Sequence, residues 1–182
     1  MAKERDDGDG WFPIVGDEPD HQREFLSALQ AAPWPSALWP INASVVHDDP
    51  DQSIITAYLD VQSVDGELRV GSLRADYDGH RLWLGWGNPG SGTLARREAA
   101  QPVGEFDAEA AADVTFKYFI SQLQREVVHL LWVNNVGTVV RTECRDAASG
   151  KGHWWQAATD YRDRPSRPHD REIRFRPLPP SA

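Results

Sequence analysis

The sequence predicts an α+β protein: a single domain, mainly an antiparallel sheet of about six strands, with two main helices packed on one face. Three observations carry this. Several short stretches alternate apolar and polar side chains with the period of a strand. Tight polar turns separate them, which implies antiparallel pairing. Two longer stretches space their apolar residues with the period of a helix.

Residues 1–10 are polar, acidic and rich in charge, and read as a mobile N-terminal tail. In "GDEPDHQREFLSALQ" Asp17 is placed to cap a helix, Pro19 is tolerated in its first turn, and Phe25, Leu26 and Leu29 form the apolar stripe. "PWP" at 33–35 stops that helix. A strand follows near 41–46, then "HDDPDQ" as a turn. "SIITAYLDV" is a strand with Ile55, Ala57, Leu59 and Val61 on one face. In "ELRVGSLRADY" the apolar phase changes, from Leu68 and Val70 to Leu73, Ala75 and Tyr77, and the change indicates a bulge at Gly71 and Ser72. "YDGH" is a hairpin signal with Asp78 and Gly79 at its tip, and "HRLWLGWG" returns. After a long connection with a short helix at 93–100, Asp107 caps the clearest helix, 107–124, with Phe116, Phe119, Ile120 and Leu123 on its stripe. "REVVHLLWV" is apolar on both faces and so belongs at the centre of a sheet. "TVVRTEC" and "HWWQAAT" are further strands. "IRFRPLPP" is a last edge strand ended by prolines. The globular unit spans 11–160, and 161–182 is an Arg/Pro-rich C-terminal segment.

At 182 residues the chain is long enough to bury a sizeable core. The N-terminus has no apolar stretch of signal-peptide length, no run approaches a membrane helix, and one cysteine, Cys144, excludes an internal disulfide. A cytoplasmic protein is the simplest reading. Sixteen arginines against three lysines fit the coding bias of a GC-rich bacterial genome. The net charge of −9 is uneven: residues 1–80 hold 16 acids and five bases, and residues 81–182 hold 12 acids and 14 bases. An acidic first half attracts a cationic partner and repels nucleic acid, while the plain alternative is that the acids keep the protein soluble.

No pattern of residues specifies a reaction. "GWGNPG" at 85–90 fits G-x-G-x-x-G, but its strand is one arm of a hairpin and Pro89 lacks an N–H, so a glycine-rich loop explains it better than dinucleotide binding. "DDPD" offers three carboxylates without calcium-loop spacing, and the six histidines show no paired spacing, so neither a metal nor a cofactor is expected. His129, in the most apolar strand, reads first as a hydrogen-bonded core histidine. Its functional reading is a pocket acid or base, oriented by Glu143 if the two share a face; Glu126, three positions away, points elsewhere. Six arginines at 162–176 are a candidate phosphate or RNA patch. Three interleaved acids make ion pairing with the acidic first half the better reading.

In size, acidity, tryptophan content and order of sheet and helix, the chain resembles the immunity proteins that neutralise bacterial polymorphic toxins. That resemblance rests on no matched motif and transfers no residues. It implies a small, acidic, non-catalytic protein that occludes a basic toxin or effector. The residues that suit such a role are Asp17, Glu18, Asp20, Asp48, Asp49 and Asp51 for steering, with Trp34 and Trp39 as anchors. A second reading is a small enzyme or ligand-binding domain with an apolar pocket between sheet and helix, holding Tyr58, Tyr118 and His129. A third is a structural or assembly subunit that self-associates.

Overall fold

The computed structural model describes residues 11–12, 14, 18–35, 42–47, 53–62, 69–87, 102–157 and 168–176. The tail at 1–10, the acidic turn at 48–52, the end of the glycine-rich loop at 88–92, the expected helix at 93–100 and residues 158–167 lie outside them.

The predicted class holds: two helices accompany antiparallel strands throughout. Among the described residues the strands form two sheets rather than one. The first contains β1 (Asn42–His47), β2 (Ile55–Gln62), β3 (Arg69–Tyr77), β4 (Arg81–Gly87) and β5 (Gly104–Glu105), in that order. The second has the order β8-β7-β6-β9, from β6 (Val127–Val133), β7 (Val139–Asp146), β8 (Gly152–Ala157) and β9 (Arg171–Phe175). Apolar β6 is therefore internal, and the C-terminal strand is an edge, as predicted.

Alternation decides which face of the first sheet meets the helices. Ile55, Ala57, Leu59 and Val61 of β2 and Leu73, Ala75 and Tyr77 of β3 are fully buried. Against them pack α1 (Asp20–Ala31), through Phe25, Leu26 and Leu29, and α2 (Ala108–Leu123), through Phe119 and Leu123. The bulge in β3 lies just before the predicted position: Gly71 and Ser72 pair regularly, and the pairing skips Val70 between Val61↔Gly71 and Gln62↔Arg69. The opposite face is also buried but polar. There Thr56 donates to Asp76 at 2.7 Å, Ser72 donates to Asp60 at 2.6 Å, and Arg74 lies 3.8 Å from Asp76.

The two helices begin differently. Asp107 caps α2, accepting from the Ala110 N–H at 2.8 Å, as its position in the sequence predicts. At α1 the N-cap position is Pro19, with no side-chain cap; its carbonyl takes the Gln22 and Arg23 N–H groups. The expected cap, Asp17, lies outside the described residues. In the β3–β4 hairpin Asp78 sits just before the tip. It accepts from the His80 and Arg81 N–H groups, and Gly79 takes φ +91°. A β-carbon at Gly79 would stand 2.7 Å from His21 on α1, so this turn needs glycine both for its backbone and for its contact with the helix.

The second sheet joins the same core through Val127 and Cys144. Its other face carries a smaller apolar cluster, Val128, Leu130, Trp132 and Val140. Among the described residues no helix is long and apolar enough to cross a membrane.

Candidate interaction surface

The outer seam between α1 and α2 combines charge and aromatic surface. At its N-terminal end a shallow groove of about 470 Å³ is lined by Asp20, Arg23, Glu24 and Ser27 of α1 and Glu109 of α2. The helical period explains the set: positions 20, 23, 24 and 27 make one stripe of α1, and Glu109 sits in the first turn of α2, where an acid suits the dipole. The cations here are committed. Arg23 donates to Asp20 at 3.0 Å and to the Glu18 carbonyl at 2.7 Å, and Lys117 pairs with Asp113 at 2.6 Å. Glu24 and Glu109 are exposed and have no such partner among the described residues. The surplus charge of the seam is therefore negative.

Farther along, the same helix pair carries aromatic rings. Trp34, just beyond α1, stacks on Trp11 with centroids 5.0 Å apart and meets Phe116 of α2 edge-on at 4.9 Å. Its indole N–H donates to the Leu29 carbonyl at 2.7 Å. Trp11, Trp34 and Phe116 remain partly exposed, while Phe12 beneath them is fully buried.

The residues singled out from sequence fall in several places. Asp20 is almost wholly exposed, at 92% of its side chain, and Trp34 lies on the same helical layer. Glu18 is buried at 3% exposure, so its carboxylate is not presented to a partner's surface. Asp17, Trp39, Asp48, Asp49 and Asp51 lie outside the described residues. Tyr58, Tyr118 and His129 do not share a pocket. Tyr58 stands opposite Arg74, on the polar face of the first sheet, whereas Tyr118 belongs to α2 on the apolar face, and His129 is in the other sheet. Burial pushes the Tyr118 hydroxyl up to about 12, with Arg125 opposing it, and burial lowers His129. The expected orienter of His129 is also displaced: His129 pairs across the strands with Cys144, while Glu143 pairs with Leu130 and points to the opposite face.

That opposite face holds the strongest electrostatic cluster, which the sequence did not single out. Arg141, Glu143 and Arg145 alternate along β7 and so project together. Arg141 donates to one Glu143 oxygen through Nε at 3.0 Å and Nη2 at 2.8 Å; Arg145 donates to the other through Nε at 3.1 Å and through Nη2. Burial alone would raise the Glu143 carboxyl, but these hydrogen bonds and the two positive charges outweigh it and hold it below its ordinary range. The Arg141 guanidinium lies 5.9 Å from the Trp132 ring centre. Satisfied on both oxygens and 6% exposed, Glu143 is a structural ion cluster rather than a reactive acid.

Arg162, Arg164 and Arg167 lie outside the described residues, and Arg174 and Arg176 make different partners from those expected. Arg174 pairs with Glu172 at 2.8 Å and Arg176 lies 4.0 Å from Glu126, both carboxylates belonging to the second half of the chain. Among the described residues no three His, Cys, Asp or Glu side chains gather as a metal site. No protein-family model matches the chain, and comparison with curated proteins and with solved structures finds no match.

Proposed function

We propose that this chain is a non-catalytic binding protein of the immunity type, which neutralises a basic toxin or effector by covering its working surface. The observation that carries the reading is the α1–α2 seam, which presents exposed Glu24 and Glu109 in its groove and, farther along the same helix pair, a partly exposed Trp11–Trp34 stack. Such a layout divides the labour of association. Carboxylates without local partners steer a cationic protein during encounter, and a partly exposed tryptophan stack gives it an apolar seat. Under this reading the protein acts in a bacterial cytoplasm, as a small acidic α+β module.

The test begins with affinity capture from the native host and is decided with the captured protein purified. Its association rate with the wild-type chain should fall steeply as salt rises, and fall again in an E24Q/E109Q variant at low salt. W34A should chiefly speed dissociation. A purified partner that binds at a rate indifferent to salt and to both glutamates would refute the reading.

A further inference from the structure

At the other end of α2 lies a second open groove, of about 560 Å³, whose charge surplus is opposite. Three elements build it: the α2–β6 turn supplies Arg125 and Glu126, the β7–β8 turn supplies Asp146 and Ser149, and the β9 edge supplies Arg174 and Arg176. We propose that this groove binds a compact oxyanion, of the kind carried by a phosphomonoester on a small molecule. The proposal is independent of the toxin-neutralising reading.

The geometry of the donors points to this ligand. Among the described residues Arg125 and Arg176 have only distant ion partners, Asp146 and Glu126, each 4.0 Å away and beyond hydrogen-bond reach. Their guanidinium N–H groups make no hydrogen bond among the described residues, and their side chains are 55% and 43% exposed. Arg174 spends Nε and Nη2 on a single Glu172 oxygen and leaves its remaining N–H groups over. The two carboxylates in the groove do not compete equally. Asp146 Oδ1 accepts from the Ser149 N–H and hydroxyl, both at 2.7 Å, and only Oδ2 faces Arg125, at 4.0 Å. Arg125 follows the C-terminus of α2, where a cation balances the helix dipole, but that role uses its charge and not its donors.

The walls are fixed by backbone hydrogen bonds. The Ala147 N–H donates to the Glu126 carbonyl at 2.9 Å, the Gly150 N–H donates to the Asp146 carbonyl at 2.9 Å, and Val128↔Arg174 is a register pair between β6 and β9. Planar forks on such supports suit the tetrahedral oxygens of phosphate. Compactness follows from the rest of the molecule. A chain of net charge −9, with Glu126 and Asp146 inside the groove, repels those phosphates of an extended polyanion that come within about one Debye length, ~10 Å, of its acidic surface. A single phosphate group stays within reach of the three arginines.

Inorganic phosphate is the first probe, titrated into the isotope-labelled full-length chain at constant low ionic strength with chloride as control. The expected result is saturable shifts confined to residues 124–126, 146–149 and 174–176, with binding weakened at least tenfold in R125Q/R176Q. The melting temperature of that variant reports whether it is folded, and R81Q, an arginine variant in the distant hairpin, should bind as wild type does. Shifts that chloride reproduces, or that survive in folded R125Q/R176Q, would overturn the site. A single-stranded oligonucleotide that binds more tightly than a phosphomonoester would overturn its compact character. Should R125Q/R176Q fail to fold, the single variants R125K and R176K replace it; unchanged affinity in both would also overturn the proposal.

Discussion

The helical layer and the four-stranded sheet handle the same residue type in opposite ways. Glu24 and Glu109 stand on the α1–α2 seam in solvent, while Glu143 is buried between Arg141 and Arg145. The exposed pair adds almost nothing to stability and leaves its field free to act at a distance. The field of the buried one is offset by the two guanidinium groups it holds together. A count of acids cannot distinguish these cases; the location of the nearest guanidinium does.

The largest effect expected of this contrast is at Glu143. Replacing it with alanine strands two guanidinium groups on a buried face and should cost about 3–5 kcal/mol, read as a lower urea midpoint at unchanged slope. A cost below about 1 kcal/mol would show that water reaches the cluster freely. The same glutamate gives the contrast a pH signature. Its folded-state pKa is depressed, so its stabilisation is complete above its unfolded value near ~4.3 and is lost as pH falls through the lower folded value. Wild type should therefore lose stability below about pH 4.3 more steeply than E143Q does.

Next comes the turn that seats α1 on the first sheet. G79A meets both a left-handed backbone and the His21 ring and should cost about 1–3 kcal/mol in thermal or urea unfolding. D107A removes the one side-chain cap of the helical layer and should cost about 1 kcal/mol. Smallest are E24Q and E109Q, each expected to shift stability by less than about 0.5 kcal/mol. If either proves strongly destabilising, the seam is a structural feature and the contrast with Glu143 collapses.

Much of the fold was legible because burial reports through period. The β2 face of Ile55, Ala57, Leu59 and Val61, the Asp107 cap and the doubly apolar β6 each follow from short local patterns. The division into two sheets was not legible, since alternation fixes which side of a strand is buried and says nothing of which strands are neighbours. The surface was harder still. Runs such as "DEPD" and "DDPD" draw the eye, but in the first of them Glu18 is buried. Glu24 and Glu109 become one feature only when α1 meets α2. The Arg141–Glu143–Arg145 cluster did have a local signal, alternate charges along a strand. Arg125 joins the C-terminal arginines only through the pairing of β6 with β9.

Phe12 gives the helical layer a requirement of its own. Its φ of +57° is unusual for any residue with a β-carbon and costs about 1–3 kcal/mol. The ring is nonetheless wholly enclosed, 6.4 Å from Phe119 and 5.6 Å from Trp34, and the Phe12 carbonyl accepts from the Gln30 side chain at 2.8 Å. Trp11 and Phe12, well ahead of the first helix in sequence, thus act as a plug seated from outside. Anyone trimming this chain for expression or fusion should keep the cut upstream of Trp11, because a version starting at the helix would open a hole at the bottom of the very surface it was made to study.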